Sequence, residues 1–273
     1  MTADRNPQAS QMADESMLRT LAAQAIAIWP QERAIFERYA LPTAPRVLDV
    51  GCGSGEITYR LANLLDQAQV TGMDIIQEHL ALARKQHGDR GGRLRFERAD
   101  AFALPYETDA FDLTVARHIL QAVPNPHLVL GEIQRVTRPG GRVHLLAEDY
   151  AMMHFHPTEW DCDLFWHDGP ITYARSTGSD LRGGRGMFTQ LRQAGFADVT
   201  VDYVVVDTVR VSRQVFADIW RAWRDGYSEA ITEHSRFTAD EVAEYWRQMI
   251  AAIEDPDGYG VWHVPVIGGT VAG

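Results

Sequence analysis

Cysteine is nearly absent: the 273 residues hold two, Cys52 and Cys162. Two distant cysteines make neither a disulfide framework nor a zinc motif, so a reducing compartment is the default and a cytoplasmic location is expected. Long apolar runs are missing too. None approaches the roughly 20 residues that span a bilayer, and the opening MTADRNPQASQMADES lacks the apolar centre of a signal peptide. Positive charge is in deficit, with 26 Lys and Arg against 37 Asp and Glu, a formal net charge of −11. Nucleic acid and anionic membrane are bound through concentrated Lys and Arg, so neither is an expected partner. The densest basic segment, RGGRLRFER (90–98), reads as a loop entering a strand. Internal repeats and low-complexity tracts are lacking. What remains is an ordinary globular composition, 45% hydrophobic and 23% charged, with room for one large α/β domain plus additions. A homodimer stays open.

Residues 1–13 read as disordered. The next segment, to about residue 39, has helical periodicity through Leu18, Leu21, Ala25 and Ile28. Pro30 is expected to break or restart that helix. Strand and helix patterns then alternate. Strands are expected at 46–50, 69–74, 94–100, 111–118 and 142–149, with helices near 56–66, 77–87 and 126–137. RPGG (138–141) is expected to stop the third helix. Such alternation implies a parallel sheet with helices on both faces. Beyond residue 150 a long aromatic stretch reads as irregular. A helix (185–196), a strand (199–208) and two further helices follow. The first of these two carries the stripe Phe216, Trp220, Trp223, Tyr227; the second opens on TADE (238–241), a capping box. A last strand is expected to end near Val264, because Pro265 cannot donate to an interior ladder.

The chemistry is concentrated in VLDVGCGSGE (47–56). A parallel strand entering a helix across a glycine turn places a ligand at the carboxyl end of the sheet. The spacing is G-x-G-x-G at Gly51, Gly53 and Gly55, and Glu56 stands where a dinucleotide fingerprint has its third glycine. Glu56 suits a helix N-terminus but would repel a pyrophosphate. With Asp49 before the turn, the loop suits a cationic or zwitterionic ligand. Asp74 ends the second strand, where an acid accepts ribose hydroxyls. Asp100 ends the third, where an adenine amine would be read. Ribose, adenine and a positively charged amino-acid end together describe S-adenosylmethionine.

The chain resembles the class I (Rossmann-like) S-adenosylmethionine-dependent methyltransferases, in the small-molecule branch related to the ubiquinone C-methylases. VLDVGCGSGE resembles the family's first motif and VTGMDIIQEHL (70–80) its second. ERADAFALPYETDAFDLTVARHILQAVPNP (97–126) resembles the third and fourth, and LGEIQRVTRPGGRV (130–143) the approach to the fifth strand. LRQAGFADVTVDYV (191–204) is similar to the approach to the sixth. The motif series covers about residues 46–149. The resemblance implies a doubly wound α/β fold with a seven-stranded sheet of order 3-2-1-4-5-7-6, the seventh strand antiparallel. It implies a helical lid at 1–45 and a methyltransferase domain at 46–273. That domain would include a substrate-loop segment at 149–183 and a helical insertion at 209–256. Carried over by position, Asp49, Gly51 and Gly53 would face the methionine end of the donor. Asp74 and Ile75 would hold the ribose and border the adenine, with Asp100 and Ala101 beside it. Arg117 and His118 would lie near the sulfonium and the substrate.

The acceptor is less legible. A carboxylate needs no base, an amine must be neutral, and a phenol, thiol or carbon acid usually loses a proton. Candidates on the acceptor side are His118, Glu148, Tyr150 and His154. The simpler reading has the last three ordering the long loop, and His118 packing at a strand end. His167 and Asp168 are an adjacent His–Asp pair with only His234 or His263 as a distant third ligand, so no metal is expected. The Trp220, Trp223, Tyr227 stripe reads as core before it reads as an aromatic cage. Trp29, beside Pro30, is a candidate for closing over the donor or an ordinary helix break. Cys52 is assigned no chemistry. Two rival readings are a nicotinamide-dependent oxidoreductase, disfavoured by Asp49 and Glu56, and a cofactor-binding regulatory protein without turnover.

Overall fold

A computed structural model describes residues 6–7 and 14–273; most of the expected disorder at 1–13 lies outside the described residues. The chain opens on helix α1 (Glu15–Phe36), capped by Asp14, whose carboxylate accepts from the Ser16 amide. Pro30 does not break it. The ring sits on the exposed face, and the carbonyl it leaves without a partner belongs to Ile26, also exposed. Water can satisfy that carbonyl, so the lost bond costs little there.

The core strands are β1 (Arg46–Val50), β2 (Gln69–Asp74), β3 (Leu94–Arg98), β4 (Phe111–Arg117) and β5 (Thr137–Leu146). Helices α2 (Glu56–Leu64), α3 (Gln77–His87) and α4 (Pro126–Val136) connect them. β1 and β4 are almost wholly buried, as parallel strands covered on both faces must be. Two apolar clusters lie on opposite faces. One holds Ile57, Leu61, Leu80 and Ala83 from α2 and α3. The other holds Val129, Leu130 and Ile133 from α4 with Met187 and Leu191 from α7 (Gly184–Gln193). RPGG does not form a simple helix stop. Thr137 already pairs with Phe111 and Arg142 pairs with Leu113, so residues 138–141 bulge out of β5 with Gly140 at φ +75°.

Strands β7 (Ala197–Asp207) and β8 (Tyr259–Thr270) complete the expected sheet, β8 running antiparallel to both β5 and β7. A short extra strand, β6 (Met153–His156), pairs with the start of β8. The sheet order is β3-β2-β1-β4-β5-β8, with β7 on the outer edge of β8 and β6 continuing the β5 side. The seven-stranded order is therefore present, renumbered by the insertion of β6. β8 runs through Pro265 instead of ending before it. His263 donates to Met152 on the β6 side, and by alternation Pro265 faces the same way. That direction is the gap between β6, whose pairing stops at Trp262, and β5, whose pairing starts at Val266. No ladder bond is lost.

The supposedly irregular segment also contains α5 (Cys162–Asp168) and α6 (Pro170–Ser176). Between β7 and β8 stand α8 (Arg213–His234) and α9 (Ala239–Glu254). α9 carries the anticipated capping box, Thr238 and Glu241 bonding each other's backbone amides. α1, α5, α8 and α9 bury one shared cluster that includes Ile28, Trp166, Trp220, Trp246 and Trp262. The tryptophans meet edge to face, Trp166 and Trp246 at 5.7 Å between centroids. Trp220 and Trp223 are core residues of this cluster, not cage walls. No helix of the described residues is long and apolar enough to cross a membrane.

Candidate functional site

The glycine turn between β1 and α2 is a left-handed passage. Gly51, Gly53 and Gly55 have φ of +73°, +52° and +79°. A Cβ on Gly51 would meet Ile119 Cγ2 at 2.4 Å, and one on Gly55 would meet the Phe96 ring at 2.6 Å. Glycine is needed there for both conformation and space. The Gly51 and Cys52 amides donate to the Met73 carbonyl, tying the turn to the end of β2. The Gly53 amide donates to Asp74 Oδ2 at 2.8 Å, and the Ile76 amide to Asp74 Oδ1 at 2.9 Å. An ionised carboxylate has about four acceptor sites, so two remain for a ligand.

Above this turn, at the carboxyl ends of β1, β2 and β4, lies a cleft. Of the expected donor-side residues it is lined by Gly51, Gly53, Asp74, Ile75, Ala101 and Arg117; His118 lines it too. Leu21, Ile119 and Val123 add apolar wall. Two expected donor residues lie off the lining. Asp49 is buried beneath the turn, where the Thr58 hydroxyl donates to it at 2.7 Å. Burial pushes its carboxyl up to about 6, against the pull of the Thr58 bond and the Arg117 charge. Asp100 accepts from the Phe102 amide and closes its own turn.

Arg117 is held from behind. Its Nε donates to Glu32 Oε1 at 2.8 Å, and His144 Nε2 meets the same oxygen at 3.0 Å. The Tyr39 hydroxyl meets His144 Nδ1 at 2.9 Å. Burial alone would raise the Glu32 carboxyl, but the Arg117 charge and the His144 bond outweigh it and hold it down at about 2. Arg117 Nη2 is buried with no protein partner at the cleft. Glu32 was not among the residues expected at the site, although its position carried one signal. It follows Ile28 by four positions, on the buried face of α1, where an acid must have a partner.

His118 follows the last residue of β4 at φ +59°, with its amide bonded to the Leu146 carbonyl of β5. Its Nδ1 lies 2.9 Å from Glu148 Oε1. Gln121, one turn on, donates to Glu148 Oε2 at 3.0 Å. His118 Nε2 is buried without a partner. Tyr150 stacks on Trp223 at 5.3 Å, and its hydroxyl is pushed up by burial and then by the Glu148 charge. It stands behind Glu148, off the cleft lining. His154 is exposed on β6, paired with Asp163. His167 and Asp168 contact each other, and Arg236 binds Asp168. His234 stacks on Tyr173. Among the described residues no group of three or more His, Cys, Asp or Glu side chains is arranged to hold a metal. Trp29 lies over a separate surface hollow, with Arg60 above its ring.

Residues 43–163 match the family model described as a methyltransferase domain. The methyltransferase-domain match takes in the glycine turn and strands β1 to β6. Over 188 residues the chain is 32% identical to the O-methyltransferase cnsE of Penicillium expansum, covering 67% of this chain and 63% of that protein. Over 108 residues it is 38% identical to a demethylmenaquinone methyltransferase of Thermus thermophilus, covering 39% of this chain and 49% of the relative. The chain thus spans less than two thirds of the length of these relatives. Among solved structures, phosphoethanolamine N-methyltransferase 2 of Haemonchus contortus superposes with a TM-score of 0.64 at 19% identity. That match covers 100% of this chain and 61% of the other. In the methyltransferase domain, every residue lining the cleft between 51 and 123 falls inside the matched segment.

Proposed function

We propose that the chain transfers the methyl group of S-adenosylmethionine to a small-molecule acceptor. The observation that carries this reading is the pair of unspent polar groups at two sides of one cleft. Asp74 keeps free acceptor sites at the end of β2, and Arg117 Nη2 keeps a free donor at the end of β4. The first suits the two hydroxyls of a ribose and the second a carboxylate. Ile75 and Ala101 offer apolar walls for an adenine between them. Gly51 and Gly53 admit close approach of the amino-acid end. When bound, the donor supplies a sulfonium-activated methyl group. The protein's part is to bind, orient and exclude water, which the partly buried apolar wall of Leu21, Ile119 and Val123 serves. The relatives' names, an O-methyltransferase and a quinone-precursor methyltransferase, support a small-molecule acceptor.

Calorimetry tests it. S-adenosylhomocysteine should bind and NAD should not. Asp74→Asn should weaken that binding by about 1–3 kcal/mol, the loss of a charge-assisted contact. Binding of NAD instead, or an Asp74→Asn protein with unchanged affinity, would sink the reading.

A further inference from the structure

His118 sits on the acceptor side of the cleft in a geometry that specifies more than position. Glu148 accepts from two sides, from Gln121 and at His118 Nδ1. An ionised carboxylate only accepts, so the proton of the neutral imidazole lies on Nδ1. The lone pair is therefore on Nε2, the buried nitrogen with no protein partner on a residue that lines the cleft. Glu148 fixes the tautomer and stabilises the imidazolium that proton uptake would create. The left-handed backbone of His118, pinned to Leu146, is a local strain that the fold maintains.

The surroundings choose among acceptors. Arg117 precedes His118 and presents a guanidinium with a free donor to the same cleft. With the methyl donor bound, its carboxylate takes that free nitrogen and Glu32 answers the charge, so the acceptor's chemistry is set by His118 and the wall beside it. Asp74, the acid on the lining, stands on β2, with β1 between it and β4. The wall next to His118 is apolar: Ile119, Ala122, Val123. Hydroxyl acidity narrows the class further. A phenol or enol gives up its proton far more readily than a water-like aliphatic hydroxyl, so an imidazole base serves the first and not the second.

We infer that His118, oriented by Glu148, is the general base for an acidic hydroxyl, a phenol or enol on an apolar body, and that the product is its methyl ether. The inference rests on the methyl-donor reading above. Nε2 takes the hydroxyl proton as the oxygen lone pair forms a bond to the sulfonium methyl carbon. The carbon–sulfur bond breaks, and its electron pair stays on sulfur as the neutral thioether. The imidazolium then returns its proton to solvent.

The test uses 4-nitrophenol, whose phenolate absorbs visibly, with S-adenosylhomocysteine-loaded protein at a pH below the phenol's own pKa. Bound probe should appear as phenolate in the wild type and as phenol in His118→Asn, a substitution that tolerates the positive φ. With S-adenosylmethionine, catechols and hydroquinones should be methylated in preference to benzylamine and thiophenol. His118→Asn should lower that rate by about 100-fold or more, as loss of a general base does, with S-adenosylhomocysteine affinity unchanged. Glu148→Gln should lower it about 10-fold and move the acidic limb of the rate profile to lower pH, because the imidazolium loses its counter-charge. A merely structural role for Glu148 would leave that limb in place. Failure of S-adenosylhomocysteine to bind overturns the donor reading and this inference with it. Binding without phenolate formation or methylation of any phenol overturns this inference alone. So does preferential methylation of the amine or thiol, or a His118→Asn protein with wild-type rates.

Discussion

Asp49 is a buried carboxyl that accepts from the Thr58 hydroxyl. Burial raises it to about 6, above the unfolded value of about 3.9. Between those two pH values the folded chain holds a proton that the unfolded chain has released, so stability falls as pH rises through the window. The shift of about 2 units corresponds to about 3 kcal/mol. Asp49→Asn keeps an acceptor for Thr58 and removes the charge. Its urea midpoint should stay nearly flat from pH 4 to 7, while that of the wild type declines relative to it. Parallel curves would show that Asp49 is ionised without penalty in the fold. A site that holds an acid at this disadvantage gains from a cation nearby, as the loop's acidic pattern already suggested. What that pattern did not reveal is that the acid lies beneath the turn and off the cleft lining, because spacing fixes a strand position and not the depth of a side chain.

At the scale of single elements, legibility followed the covering of each strand. β1 and β2 are covered by α2 and α3 on one face and give Leu48, Val50 and Met73 to the cluster on the other, so their apolar runs end where the strands end, at Val50 and Asp74. β6 has four residues, alternates burial and draws its order from β8, far downstream. Nothing local in MHFH announces it. Pro30 and Pro265 misled for one reason. Each lacks a donor, but one faces solvent and the other a gap between two partner strands. The glycine turn is the element where local sequence and local geometry agree most closely. Gly51→Ala would strain a φ of +73° and drive a methyl to 2.4 Å from Ile119. It should lower stability by at least about 1–3 kcal/mol and abolish S-adenosylhomocysteine binding, read by denaturant melts and calorimetry. A stable Gly51→Ala protein with intact binding would show that Ile119 yields easily.

Over the whole molecule, the alternating strand and helix rhythm made the sheet readable, and with it the cleft. The dyad of His118 and Glu148 was readable only as two separate candidates. Parallel neighbours β4 and β5 bring them together from 30 residues apart, a register that no spacing rule supplies. The additions around the sheet share one aromatic cluster, so a defect in one should be felt by all. Trp246→Ala removes a ring wedged between Phe165 and Trp166 and should cost about 3–5 kcal/mol in urea unfolding. A loss below about 1 kcal/mol would mean that the cluster collapses around the void. The Glu32–Arg117 bond, for its part, sets the unit in which such a chain can be recombined with its relatives. A chimera that keeps Arg117 but imports an apolar residue at position 32 inherits a lone buried cation, at about 3–5 kcal/mol. Trading positions 32 and 117 together avoids that penalty, so the first helix and the fourth strand travel as one hereditary block although the two positions lie 85 residues apart.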